Sequence, residues 1–348
     1  MKSIISNINN IDNNHLAGGA LALWFILNIS TLILNKYIYS SLYFYYPITL
    51  TAIHMFVCWI GSVAVLRVYK LIPLITVQWS GKQFINIMIL SILFCSNIVF
   101  GNVSLRWVPV SFMQTVKSSV PLFTVILTTL FFSNIGGKKT TFTRGTYLSM
   151  IPIVGGVCVA SLSEVNFNQA GFIAALASSI LSAVFAIVSG LILTQQMNAV
   201  NLLYYMSPIS CCLLFPLSAF MEWNAIANEW PLYGESKPIV ILLLSGLIAF
   251  LLNTFTFLVI KLTSPLTYTV SGNLKVVLSI SISILVFKNE TNFFNVLGCA
   301  IAIMGVVCYS NIKYEESKAK LEQQQQQSLK QLESIYEEKL DKESLLSK

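Results

Sequence analysis

The sequence predicts an all-α polytopic membrane protein, with ten transmembrane helices arranged as two inverted five-helix repeats. Three observations carry this. Apolar residues make up 55 % of the 348 residues and charged residues only 10 %, a balance outside the usual range of water-soluble domains. The apolar residues gather in runs long enough to cross a hydrocarbon core about 30 Å thick, and the connections leave no room for a separate soluble domain. The chain also echoes itself. Asn97 to Lys117 reads N-I-V-F-G-N-V-S-L-R-W-V-P-V-S-F-M-Q-T-V-K, and Asn253 to Lys275 reads N-T-F-T-F-L-V-I-K-L-T-S-P-L-T-Y-T-V-S-G-N-L-K. Asparagine and proline are equally spaced in both, and each proline opens a lysine-bearing run.

The spans fall near 17–36, 44–66, 84–105, 109–133, 144–162, 169–194, 200–221, 239–260, 264–287 and 292–311. The start, M-K-S-I-I-S-N-I-N-N-I-D-N-N-H, is polar and Asn-rich, unlike a cleavable signal peptide, so span one doubles as the targeting signal. The echo sets spans three and four against spans eight and nine. Residues 17–162 and 163–312 then form two halves, with opposite membrane orientation because five is odd. Residues 1–16 are a polar N-terminus and 313–348 a Glu/Gln/Lys-rich tail. Small residues mark packing faces: Gly155 and Gly156 in span five, Ser178, Ser179 and Ser182 in span six, Gly298 and Gly305 in span ten. In the tail, Gln323 to Gln327 run together, and Leu329, Leu332, Tyr336 and Leu340 stand at helical spacing. A short amphipathic helix or a disordered segment is expected there. Asp341, Leu345 and Leu346 match an acidic dileucine sorting pattern. All seven cysteines lie in apolar runs without C-x-x-C spacing or a histidine cluster. They read as small buried residues, with no metal, cofactor or disulfide framework implied.

An even number of spans puts both termini on one side. If that side is cytosolic, it receives Lys2, Arg67, Lys70, Lys82, Lys138, Lys139, Arg144, Lys261 and the basic residues of the tail. The opposite side receives only Lys36, Arg106, Lys237 and Lys288. The positive-inside rule therefore makes the termini cytosolic. With basic residues confined to short loops and the tail, the net positive charge does not point to nucleic acid.

Two lysines sit inside apolar spans. Lys117 lies roughly 12 Å past Pro109 at about 1.5 Å per helical residue, and Lys275 occupies a similar depth after Pro265. A lysine at such depth costs at least ~2.5–3.5 kcal/mol on insertion scales and calls for compensation. Neither span holds an Asp or Glu to supply it. Two lone cations in matching spans suggest a shared anion pocket; snorkelling towards the headgroups is the structural alternative. No Asp or Glu is placed near the middle of any span, which favours exchange over proton pumping. His54, Asn97 and Asn253 are further polar groups at depth, and the two asparagines read as joints between helices. An intramembrane enzyme would need a catalytic set that a lone His54 does not make, so no enzyme is expected.

The stretches V-S-F-M-Q-T-V-K-S-S-V-P, N-I-S-T-L-I-L-N-K-Y-I-Y and S-P-L-T-Y-T-V-S-G-N-L-K, the last followed by I-L-V-F-K-N, resemble the triose-phosphate translocator/nucleotide-sugar transporter family of the drug/metabolite transporter superfamily. The resemblance runs from about residue 20 to 312. It implies a ten-helix inverted-repeat exchanger of phosphorylated solutes. In the plastid branch a span-four lysine and a span-nine Lys-Arg pair hold phosphate. Lys117 matches the first and Lys275 the lysine of the second, whereas Val276 stands where the arginine would be. That departure argues against triose phosphate, which would lose one fork of its clamp. Gly272, Asn273 and Lys275 are similar to the G-N-x-K of nucleotide-sugar members.

The expected substrate site therefore comprises Lys117 and Lys275 on phosphate, with Thr115, Ser118, Ser119, Ser271 and Asn273 as hydrogen-bond donors. Tyr268 either stacks on the base or packs. The function expected is an antiporter of nucleotide sugar for nucleoside monophosphate in a secretory-pathway membrane. The Golgi is the first choice, with the ER and endosomes as alternatives. A carrier of a simple phosphorylated sugar or other organic anion is the second reading. The partners implied are a phosphorylated small molecule and membrane lipid, and a homodimer stays open. With the termini cytosolic, protease added to sealed microsomes should remove a tag placed after Lys348; a protected tag would invert the topology.

Overall fold

The computed structural model describes residues 2–40, 42–77, 81–105, 107–131, 142–162, 167–194, 197–229, 237–272 and 293–346. Among these residues every regular element is a helix. They are α1 (Lys2–Ser40), α2 (Pro47–Val63, running on through a π-helical turn at Ala64–Val68), α3 (Lys82–Ser104), α4 (Val110–Lys117), α5 (Val120–Phe131) and α6 (Arg144–Leu162). Then follow α7 (Gln169–Thr194), α8 (Ala199–Met221), the short α9 (Trp223–Glu229), α10 (Lys237–Leu262), α11 (265–272) and α12 (Phe293–Leu346).

Seven of these helices are long and apolar enough to cross a membrane, and they coincide with predicted spans one, two, three, six, seven, eight and ten. Large apolar side chains on their outer faces, such as Ile26, Leu244 and Met304, are exposed, as lipid contact requires. Span five is α6, with a shorter apolar stretch at Arg144–Val159. Span nine lies mostly outside the described residues. The single helix expected at 109–133 is instead broken into α4 and α5. The tail also departs from expectation: it continues span ten as one helix to Leu346. No Gly or Pro follows Gly305, and Glu, Gln, Lys and Leu are strong helix formers.

α3 lies along α7 and α8, α10 lies along α1 and α2, α2 packs on α8, and α6 packs on α12. Side chains fix their directions. The Ser104 hydroxyl at the end of α3 donates to the Gly171 carbonyl at the start of α7, at 2.9 Å. The Trp24 indole of α1 donates to Thr256 Oγ1, late in α10, at 2.9 Å. Thus α1 and α3 finish at one end of the bundle, and α7 and α10 finish at the other.

The α2–α8 pair is tied at both ends. Just past α8, the Glu222 carboxylate accepts from the backbone N–H groups of Ile48 (3.1 Å) and Thr49 (2.8 Å) and from the Thr49 hydroxyl (2.6 Å). These are first-turn donors of α2 with no partner inside the helix, and a negative charge there also meets the favourable end of the helix dipole. At the other end Asn201 donates to the Pro73 carbonyl and accepts from the Ile75 N–H. Tyr205 donates to the Ile75 carbonyl and accepts from the Val77 N–H. Between the ties, Met55, Cys58, Ile87, Leu202, Met206 and Phe257 fill the core.

Glycine sets the α6–α12 contact. A Cβ on Gly156 would collide with the Ala302 nitrogen and the Gly298 carbonyl, and one on Gly305 would stand 2.8 Å from the Ile153 nitrogen. Around Gly155 there is open space, so of the two adjacent glycines only Gly156 packs. Gly156→Val should therefore destabilise the bundle by at least about 1–3 kcal/mol through overpacking against backbone. Gly155→Val should leave the thermal midpoint in detergent unchanged, and equal effects at the two positions would refute this packing.

Candidate functional site

The break between α4 and α5 falls at the lysine of this apolar run. Lys117 is the last residue of α4, and Ser118 and Ser119 form the turn. Pro121 explains the position, because its nitrogen has no hydrogen to return to the carbonyl four residues earlier. The two serines settle the turn: Ser118 Oγ donates to the Thr115 carbonyl and Ser119 Oγ to the Val116 carbonyl, each at 2.6 Å. Side-chain bonds of this kind compete with helix continuation. Thr115, Ser118 and Ser119 are all buried. In this conformation both serine hydroxyl protons are directed at the backbone.

The half-buried Lys117 side chain reaches towards α3 and α7. Its Nζ lies 3.5 Å from the point where a Cβ on Gly101 would stand, and Ser178 Oγ lies 3.4 Å from the same point. Gly101 makes the room that the ammonium occupies. Next to it, Asn97 Oδ1 accepts from Ser178 Oγ at 2.7 Å and from Ser182 Oγ at 2.9 Å, and Ser178 also reaches the Asn97 carbonyl at 3.0 Å. Two hydroxyls on Oδ1 fix the amide orientation, so Nδ2 is presented as a donor. An ammonium and an amide N–H, set between helices where the dielectric is low, are groups able to bind an anion.

Asn97 is thus the joint between α3 and α7 that the sequence suggested. Asn253 plays a smaller part, donating to the Ala249 carbonyl at 2.8 Å and lying 3.8 Å from Cys58 Sγ of α2. His54 meets Ser245 of α10 at 2.9 Å. Ser245 gives its proton to the Leu242 carbonyl, so His54 Nε2 is the donor of that pair.

Tyr268, in α11, belongs to another neighbourhood. Its ring packs edge-on against Trp24 at 5.4 Å, and it shares Thr256 with the Trp24 indole. Ser271 is half-buried in the last described turn of α11. Asn273 and Lys275 lie outside the described residues. Gly101, Ser178 and Ser182 are the residues that sequence reasoning did not place at the site. Their signal was the four-residue spacing of Asn97 to Gly101 and of Ser178 to Ser182, one helix face on each side. Among the described residues no three His, Cys, Asp or Glu side chains form a metal site, and the described cysteines are free thiols.

A bundle with this many apolar, lipid-facing helices is a multi-pass membrane protein. The chain belongs to the Triose-phosphate Transporter family, whose profile matches residues 16–310; it is a transporter and not an enzyme. A probable sugar phosphate/phosphate translocator of Arabidopsis thaliana is 38 % identical over 299 residues, spanning 85 % of this chain and 94 % of its own. UDP-galactose transporter 1 of the same plant is 35 % identical over 297 residues, 85 % of this chain and 86 % of its own. One crystal structure shares the fold at a TM-score of 0.56 and 16 % identity, covering 86 % of this chain and 97 % of that one.

The Asn97 network makes a stability prediction. Asn97→Ala leaves Ser178 a backbone acceptor but takes away the one that Ser182 uses. Ser182 is half-buried, so its orphaned hydroxyl should cost about 1 kcal/mol, the low end of the range for a lost hydrogen bond, read as a lower thermal midpoint in detergent. An unchanged midpoint would mean the network contributes nothing to the fold.

Proposed function

We propose that the protein is an antiporter exchanging a nucleotide sugar for a nucleoside monophosphate across a secretory-pathway membrane, the Golgi first, with both termini cytosolic. The observation that carries this reading is the Lys117 ammonium at the helix break, beside the oriented Asn97 amide. Broken helices at membrane depth are where secondary transporters build substrate sites. Lys275 supplies the second cation, and Lys117 and Lys275 together hold the phosphates. Thr115, Ser118 and Asn273 line the pocket, and Tyr268, packed on Trp24 in this conformation, leaves that contact to meet the base or sugar. The two halves, 17–162 and 163–312, act as inverted repeats. Packing supports this: a two-fold that exchanges the halves turns the α3 contacts with α7 and α8 into the α10 contacts with α1 and α2.

Val276, beside Lys275, supports a nucleotide sugar over a small doubly charged phosphate that needs an arginine fork. Transport of a simple sugar phosphate is the second reading, favoured by the name of the 38 % identical relative.

Purified protein in liposomes, loaded in turn with nucleoside monophosphates, sugar phosphates and inorganic phosphate, decides between them by counterflow. Nucleotide-sugar uptake should require a nucleoside monophosphate inside; uptake of sugar phosphate against phosphate alone would establish the second reading. Lys117→Ala and Lys275→Ala each remove a charge-assisted contact worth about 1.5–3 kcal/mol, so affinity should fall roughly ten- to hundredfold. If both variants are as stable as the parent and keep its affinity, the lysines are structural.

A further inference from the structure

The two ends of the bundle differ in one respect. Where α7 and α10 finish, the helices meet. The rings of Phe185 and Phe257 are 6.0 Å apart, a Cβ on Gly190 would stand 2.5 Å from Pro265 Cγ and 3.6 Å from Ile260 Cγ2, and Lys261 Nζ donates to the Met197 carbonyl at 2.9 Å. That end is sealed. Where α1 and α3 finish, a cavity of about 510 Å³ stands between Tyr39 of α1 and Val99, Asn102 and Val103 of α3, over a floor containing Pro47 and Glu222. Asn102 Nδ2 is buried in that wall without a hydrogen-bond partner among the described residues.

The residues on the two sides correspond. Aligning Lys117 with Lys275 sets Val99 on Phe257, Asn102 on Ile260 and Val103 on Lys261. The α3 residues that line the cavity are therefore the counterparts of those that α10 presses against α7 and Met197 just beyond it. This register differs by two residues from the one that matches Asn97 to Asn253. The faces favour the lysine register, because it also sets Gly101, which looks towards α7, on Val259, which packs with Ala20 and Trp24 of α1. One half has made a contact that the other half has left open.

We infer that Tyr39 and Asn102 are the gate of the transport pathway at this end, and that the structure is the conformer with this gate open and the α7–α10 gate shut. The inference rests on the inverted-repeat reading above, since only a two-fold makes the sealed end a template for the open one. Closure carries the end of α3 onto the end of α1. It packs Val99, Asn102 and Val103 against Tyr39, where the other gate uses apolar contact and a lysine on a carbonyl. The floor does not take part, because Glu222 already holds the start of α2 to the end of α8. A carrier that opens one end at a time must break one seal to make the other.

The test uses the full-length protein in liposomes, with the exposed Cys158, Cys212 and Cys308 replaced by serine. Tyr39→Cys combined with Asn102→Cys should form a disulfide under copper phenanthroline, identified in cross-linked peptides by mass spectrometry. Exchange should then stop, and return on reduction, while each single variant ignores the oxidant. Thr49→Cys with Ser218→Cys spans the fixed floor, where the native hydroxyls are 2.5 Å apart, and should cross-link without stopping exchange. The gate is overturned if the Tyr39/Asn102 pair stays unlinked while the control pair links, or if exchange continues through an intact bridge. The phosphate-site reading fails separately, through lysine variants with unchanged affinity. The cross-link is assayed with whichever solute the parent carries.

Discussion

A positive charge set among apolar helices is the constraint around which this half of the molecule is built. At ~2.5–3.5 kcal/mol or more, a lysine at depth consumes much of what a marginally stable fold has to spare. The chain answers with a set of adjustments that depend on one another. Pro121 interrupts the helix, Ser118 and Ser119 cover carbonyls the interruption would expose, and Gly101 clears the space for Nζ. Asn97, held by Ser178 and Ser182, then fixes α3 to α7 beside the charge.

Elsewhere the bundle follows the rule that lipid offers helices no hydrophobic reason to associate. Its contacts come from close backbone approach and from hydrogen bonds placed at helix ends. Glycine brings α6 to α12, Glu222 holds α2 to α8, and Glu316 accepts from Thr143 and Thr146 where α12 passes the start of α6. Charged residues thus tie the ends of helices, and small ones govern the middle.

Seven of the spans were legible in the sequence because an uninterrupted apolar run of membrane length is rare in chains that fold in water. Lys117 was legible for the same reason, as an exception within such a run. The break beside it was not, since a proline in an apolar helix is equally compatible with a kink. Ser178 and Ser182 read as packing residues because their role depends on α3 lying antiparallel to α7, which no local pattern states. Gly155 and Gly156 show the limit most plainly: they are neighbours of identical chemistry, and only the position of α12 tells them apart. The tail misled for a compositional reason, as Gln- and Glu-rich segments satisfy both a helix and a disordered chain until neighbours or helical continuity decide.

That continuity has a mechanical consequence. From Lys313 to Leu346 the helix adds roughly 50 Å at about 1.5 Å per residue, more than the thickness of the hydrocarbon core it leaves. Residues Asp341 to Leu346 are therefore carried at the end of a continuous helix and not on a flexible tether. Whatever binds the end of that helix would be held from the bundle at a spacing set by helix length.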